Sequence, residues 1–286
     1  MAPITAALVV IGDEILDGHV ADANTRVLAR ALATQGVSLD RMHTVRDDEA
    51  DIVAALHREL DEPGPRLVVT SGGIGSTPDD ITFEAVAAAL GRPTVVNEVI
   101  EGRIRGALDW QRSRGLDVDG VVAAAMMRMA AVPEGARLLD RLTGWVPGVA
   151  VDVDGGVAAD GTTIAVLPGV PSEFARITEE GLVPLVAGHN PVPTVVEVTH
   201  GFPESLLNPV FATLVDRFPE VKLGSYPGRP MLVRLTGPSR EVAAAADLVQ
   251  SHVDGLAATP GGRAVLSAWG ARTEDDEEDP GAPDDP

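Results

Sequence analysis

The stretch from Arg66 to Thr82 reads RLVVTSGGIGSTPDDIT. Leu67 to Thr70 is a short apolar run rich in β-branched residues, which suits a strand buried on both faces in a parallel sheet. The chain then turns through Ser71-Gly72-Gly73-Ile74-Gly75-Ser76-Thr77-Pro78 and enters an amphipathic helical segment, Ile81 to Leu90, closed by Gly91. Strand, glycine loop and helix start in that order bring backbone N–H groups and a helix N-terminus together, where an anion can be held. Asp79 and Asp80 lie at the same point. Two carboxylates repel a bare anion, but they suit a hard divalent cation such as Mg²⁺ set between carboxylate and phosphate. The plainer alternative is a tight turn in which Asp80 only caps the helix.

Upstream, Ala6 to Ile11 (AALVVI) reads as a buried strand that runs into Gly12-Asp13-Glu14-Ile15-Leu16-Asp17-Gly18, a turn where Gly12 lets the chain bend sharply. Asp22 or Asn24 can cap a helix from Thr25 to about Gln35, with Leu28, Ala31 and Leu32 on its apolar face. Val37 to Val45 is a second strand. Arg46-Asp47-Asp48-Glu49 opens a helix to Leu60, its acidic first turn matched to the helix dipole. Three strand–helix alternations imply right-handed crossovers and a three-layer α/β sandwich with a mostly parallel sheet. Ligands of such sheets sit beyond the carboxyl ends of the strands. Those ends are Gly12-Asp13-Glu14, Val45 to Asp48 and Ser71 to Asp80, so three acidic or glycine-rich loops are expected to converge.

Downstream, Glu98 to Arg114 and Val121 to Met129 read as helices, and Met126, Met127 and Met129 as core filler. Turns near Trp145-Val146-Pro147-Gly148, Gly155-Gly156 and Asp160-Gly161 bound two strands, Val149 to Val153 and Thr162 to Leu167. Pro171 suits the first position of a further helix. Beyond Val186 the pattern becomes strand Thr194–His200, helix Glu204–Phe218, strands Val221–Tyr226 and Met231–Thr236, helix Ser239–Leu256 and strand Arg263–Ser267. This β-α-β-β-α-β order suits a small α+β, KH-like domain. The expected divisions are therefore residues 1–186, residues 187–270, and a disordered acidic tail, residues 271–286.

Composition narrows the function classes. The 286 residues carry a formal net charge of −21 and no cysteine, which excludes disulfides and thiolate metal sites. Lys222 is the only lysine, and no GxxG loop with basic surroundings is present, so nucleic acid is not an expected partner. No apolar run reaches the ~20 residues that span a bilayer, and no basic-led signal segment precedes Ala6. A cytoplasmic protein without membrane partners is expected. Histidines 19, 43, 57, 189, 200 and 252 make no metal-ligand spacing, and no GxSxG elbow exists, so covalent catalysis is not expected.

Taken together, GDEILDG at Gly12–Gly18, DANT at Asp22–Thr25, VRDD at Val45–Asp48 and TSGGIGSTPDDIT at Thr70–Thr82 resemble the molybdopterin-binding fold of molybdenum-cofactor biosynthesis. VPEGA at Val132–Ala136, WVPGV at Trp145–Val149, LPGVPSEF at Leu167–Phe174 and PESLL at Pro203–Leu207 are similar to its competence/damage-inducible protein A (CinA) branch. The resemblance spans about Ala6 to Ser267. Three departures stand out. The chain stops before a C-terminal nicotinamide-nucleotide amidase domain could fit, so that deamidation is not expected. The family often has threonine at the Ile74 position, so a hydroxyl contact there is not available. A VPG replaces the usual APG.

The resemblance implies a phosphate- or nucleotide-binding role for Gly12, Gly72, Gly73, Ile74, Gly75, Ser76 and Thr77. It makes Asp80 the first choice as Mg²⁺ ligand, Asp47 the second with Asp48 as substitute, and Asp13 or Glu14 a water-mediated metal ligand or the group that orients attacking water. Asp80, Asp47 and Glu14 are then the catalytic candidates, and Asp13, Asp47 and Asp80 the metal set. It further implies divalent-metal-dependent hydrolysis of ADP-ribose or a similar nucleotide diphosphate to AMP and a sugar phosphate. The alternative it implies is a non-catalytic molybdopterin- or nucleotide-binding protein, or a molybdenum-cofactor biosynthesis factor. A homo-oligomer, dimer or trimer, is expected through the second domain.

Overall fold

The computed structural model describes residues 2–139 and 148–270, which fall into two compact units divided between Val192 and Pro193. Trp145, Val146 and Pro147, and the acidic tail read as disordered, lie outside the described residues.

The first unit is built on a six-stranded sheet in the order β2-β1-β3-β8-β7-β6. Here β1 is Thr5–Ile11, β2 Ser38–Val45, β3 Arg66–Ser71, β6 Arg137–Leu138, β7 Val149–Val153 and β8 Thr162–Leu167. β2, β1, β3 and β8 are mutually parallel, β7 pairs antiparallel with β8, and β6 pairs antiparallel with β7 at the edge. Side chains alternate across β1 as strand geometry requires. Val9 and Ile11 face one layer with Val68, Ile164 and Val166. That layer holds α3 (Glu49–Leu60), α4 (Thr82–Ala89) and α5 (Glu98–Ser113), which bury Leu56, Val86 and Ile104 there. Leu8 and Val10 face the other layer, where α2 (Asn24–Ala33), α7 (Pro171–Ile177) and α8 (Val183–Val186) bring Leu28, Phe174 and Val186. Each large side chain buried in this way contributes about 1.5–3 kcal/mol, which is why β1, apolar on both faces, is an interior strand, paired with β2 on one side and β3 on the other.

Several elements depart in detail from expectation. The turn after β1 contains one short helix, α1 (Asp13–Leu16). Met129 is buried, and Met126 and Met127 of α6 (Gly120–Arg128) pack against the α3–α5 layer, as core filler should. A two-stranded antiparallel pair, β4 (Thr94–Val96) with β5 (Ala131–Pro133), brackets α5 and α6. Its strands are too short to give an alternating pattern.

The second unit has a three-stranded antiparallel sheet, β10-β11-β9, formed by β9 (Thr194–His200), β10 (Lys222–Tyr226) and β11 (Met231–Gly237). It packs on α9 (Asn208–Arg217) and α10 (Ser239–Ala258) through Val198, Leu214, Val233, Val242 and Val249. The expected last strand, Arg263–Ser267, is instead helical, within α11 (Pro260–Gly270). Pro260 opens the helix, Thr259 Oγ1 accepts the Gly262 N–H at 2.9 Å, and Gly262, Val265 and Leu266 recur at helical spacing on its packed side. A Cβ at Gly262 would lie 1.8 Å from the Leu256 carbonyl oxygen, so α11 can cross the end of α10 only with glycine there. The order of this unit is thus β-α-β-β-α-α.

Candidate functional site

The parallel strands end level with one another: Ile11 pairs with Val45, Val10 with Ser71, and Ser71 with Leu167. Four loops therefore leave the sheet at one edge and surround a cavity of about 400 Å³. Three are those expected from the sequence. The fourth, Pro168-Gly169-Val170-Pro171, carries Pro171 at the first position of α7 and seats Gly169 against Gly72.

The glycine loop is held from both sides. Gly72 N–H donates to Leu167 O at 3.1 Å, Thr82 N–H to Gly73 O at 2.9 Å, and Thr82 Oγ1 to Gly72 O at 2.9 Å. Gly72 and Gly73 adopt φ of 107° and 66°, and an added Cβ would meet Ile11 O or Thr82 Oγ1 at 2.3 Å. The N–H groups of Gly73, Ile74 and Gly75 donate to nothing among the described residues, and all three residues line the cavity. Ile74's side chain is buried in the core against the α3–α5 layer, so only its backbone is open to a ligand. Ser76 and Thr77 do not line the cavity. Thr77 instead donates its N–H and its hydroxyl to Asp80 Oδ2, at 2.8 and 2.5 Å. Asp80 thereby braces the loop, while α4 begins after Ile81 with no side-chain cap, so the plain helix-cap role does not apply.

Asp47 and Asp48 divide their tasks. Asp48 Oδ1 accepts the N–H groups of Ala50 and Asp51, at 2.9 and 3.1 Å, and caps α3. Asp47 turns into the cavity, where its Oδ2 accepts the Asp13 N–H at 2.9 Å. Burial, with the charges of Glu14, Asp13 and Asp79, pushes the Asp47 carboxyl above its ordinary range, against the pull of that hydrogen bond. The Glu14 carboxylate has no hydrogen-bond partner among the described residues, and Glu14 lines the cavity. Gly12 makes room for it: a Cβ there would come within 2.7 Å of Glu14 Oε1. At φ 160°, Gly12 is extended, so its value is space and not the sharp turn expected.

Asp13 corrects the expected metal set. Its carboxylate pairs with Arg46 Nη1 at 3.1 Å and does not line the cavity. Among the described residues, no three acidic, histidine or cysteine side chains converge to cage a metal, so Asp13, Asp47 and Asp80 form no three-ligand site. The donor chemistry still fits a hard cation of another kind. Mg²⁺ takes one or two carboxylates and completes its shell with phosphate and water, and Asp47 and Asp80 line the same cavity as the three free N–H groups. Among the described residues, the cavity is lined by Glu14, Asp22, Asp47, Asp79, Asp80 and Glu173 and by no lysine, arginine or histidine.

From the sequence, Asp22 and Asn24 are expected only as alternative caps of the helix from Thr25, and Ser71 and Glu173 are given no ligand-binding role, although all four line the cavity. Asp22 Oδ1 accepts the N–H of Asn24 and Thr25 and so starts α2. Asn24 Nδ2 donates to Ser71 Oγ at 2.8 Å and Gly169 O at 2.9 Å, tying α2 to β3 and to the fourth loop.

A level sheet edge, a braced glycine loop at its centre and a carboxylate-lined cavity above it define an α/β ligand-binding type of domain. A model of the family described as "probable molybdopterin binding domain" matches residues 7–188. A CinA-like protein of Mycolicibacterium vanbaalenii is 37% identical over 207 residues, 70% of this chain and 47% of its own length. Protein PH0439 of Pyrococcus horikoshii is 32% identical over 229 residues, 79% of this chain and 86% of its own. The crystal structure of CinA from Thermoplasma acidophilum, a protein of unknown function, superposes with a TM-score of 0.50 at 28% identity, covering 61% of this chain and 94% of that one. The chain belongs to the molybdopterin-binding domain family, in its CinA group.

Proposed function

We propose that the cavity binds a phosphorylated pterin, molybdopterin first, in a binding role of the molybdenum-cofactor biosynthesis type, with a divalent cation between the phosphate and the carboxylates of Asp47 and Asp80. The observation that carries this reading is the pairing of three free N–H groups, at Gly73, Ile74 and Gly75, with a wall of carboxylates and, among the described residues, no basic side chain. The N–H groups suit phosphate oxygens, whereas the wall repels them. A cation, when bound, supplies the positive charge that this wall lacks. The cation then offsets the burial and the neighbouring charges that disfavour the Asp47 carboxylate, and Asp80 keeps the loop in shape through Thr77.

Glu14 favours a second reading. An unpartnered carboxylate beside Asp47 suits a group that takes a proton from water. In ADP-ribose hydrolysis, water oxygen would bond to one phosphorus, the bridging P–O bond would break, and Glu14 would receive the water's proton, giving AMP and ribose 5-phosphate. Titration calorimetry with molybdopterin and with ADP-ribose, each with Mg²⁺ and with EDTA, tests the first reading, and an assay for AMP tests the second. Mg²⁺-dependent molybdopterin binding without AMP release is the expected result. Release of AMP that EDTA abolishes would establish the second reading, and no binding of either ligand would end both.

A further inference from the structure

We infer that Asn24 is a specificity-determining residue that reads a hydrogen-bond donor, a hydroxyl or ring N–H, on the organic part of the ligand; this rests on the proposed binding of a phosphorylated pterin or nucleotide. Asn24 lines the cavity and is only 5% exposed. Both hydrogens of its amide are in use, one toward Ser71 Oγ and one toward Gly169 O. The Gly169 carbonyl can only accept, so turning the amide over would set two oxygens against each other. The orientation is therefore fixed, and Asn24 Oδ1 is an acceptor by necessity. That oxygen is closed to bulk water and has no partner.

A buried acceptor left unsatisfied carries a desolvation penalty, and native proteins keep few of them. Asp22, the neighbouring polar side chain, cannot serve, since its carboxylate offers no proton and is already engaged by the N–H groups of Asn24 and Thr25. Ionised phosphate has no proton to offer either. The matching group is a hydroxyl or N–H on the rest of the ligand, reaching Oδ1 as the adjoining wall gives slightly. A site built to bond a donor also rejects analogues that lack it, because its own polar group is then left unpaired. Ribose hydroxyls and pterin ring N–H groups both meet the requirement.

The test compares wild type with Asn24→Ala by calorimetry in the presence of Mg²⁺, using molybdopterin, ADP-ribose and inorganic pyrophosphate, which has no organic donor. Because Asn24 also ties two loops, structural damage would weaken all three ligands alike. Asn24→Ala is expected to weaken the organic ligand by about 10- to 100-fold, the range for one unpaired buried group, while pyrophosphate affinity stays within about two-fold. A loss confined to molybdopterin would identify a pterin donor, and one confined to ADP-ribose a ribose hydroxyl. In the second case, one deoxy analogue of ADP-ribose should bind wild type about as weakly as ADP-ribose binds the variant. Unchanged organic-ligand affinity, or an equal loss for pyrophosphate, would overturn the inference while leaving the binding role intact. Failure of wild type to bind either organic ligand would overturn that role, and the inference with it.

Discussion

Asp47 and Asp48 share a side chain and adjacent positions, yet opposite outcomes are expected from removing each. Asp48 satisfies two N–H groups at the start of α3, so Asp48→Ala should cost about 1 kcal/mol, the usual value of such a cap, and leave ligand affinity unchanged. Thermal denaturation would detect it. Asp47 has a raised carboxyl pKa, so its charged form is disfavoured in the folded protein and weakens stability as pH rises through that value. Asp47→Asn keeps an acceptor for the Asp13 N–H and removes the charge. The ligand-free variant should melt no lower than wild type at neutral pH, yet lose Mg²⁺-dependent ligand affinity; a variant that binds as wild type does would remove Asp47 from the site. Gly73→Ala differs again. Its Cβ would collide with Thr82 Oγ1 at a left-handed φ, so loop stability and ligand affinity should fall together, measured by melting and by calorimetry. The choice between Asp47 and Asp48 was not legible in the sequence, because two adjacent aspartates at a helix start are interchangeable on paper. What separates them is which carboxylate the first turn consumes.

At the element scale, the opposite ends of the same strands are held by buried charge. Glu59 of α3, fully buried, accepts from Arg66 Nε at the start of β3 and contacts His43 of β2 at 2.6 Å, while Arg66 also donates to Thr5 Oγ1 at the start of β1. Burial opposes ionisation of Glu59, but the hydrogen bonds from His43 and Arg66 and the guanidinium charge outweigh it, and its pKa lies below the ordinary value. Removing one partner strands the other, so Glu59→Gln should cost about 3–5 kcal/mol. A lowered folded-state pKa means that this stability is present above the unfolded value of about 4.3 and is lost as pH falls through the folded one. The gap between wild type and Glu59→Gln in denaturant titrations should therefore narrow below about pH 4; a gap independent of pH would mean that Glu59 acts by shape alone. The parallel strands were legible from continuous apolar runs such as LVVT at Leu67–Thr70. Neither this network nor α11 was. Charged residues read as surface until a partner from a distant strand is known, and a five-residue run such as Arg263–Ser267 fits strand and helix periods alike until Pro260 and the capping Thr259 are weighed.

At the scale of the whole molecule, two separate cores, one around the six-stranded sheet and one around β10-β11-β9, imply two melting events. Every loop of the candidate cavity belongs to the first unit. A ligand that binds only the folded form stabilises it by about 2.7 kcal/mol when present at a hundred times its Kd. For a unit of 150–250 residues each kcal/mol moves the midpoint by about 2–4 °C, so a shift of about 5–10 °C is expected. Calorimetric scans with Mg²⁺ and molybdopterin together should raise one transition by that amount and leave the other in place, and EDTA should reverse the shift. Mg²⁺ alone should do less, because with no phosphate to complete its shell it meets only one or two carboxylates at Asp47 and Asp80. A shift of the second unit's transition, or of both equally, would place binding outside the cavity beyond the strand ends. A full shift without Mg²⁺ would leave the carboxylate wall unexplained and return the choice of ligand to one that carries its own positive charge.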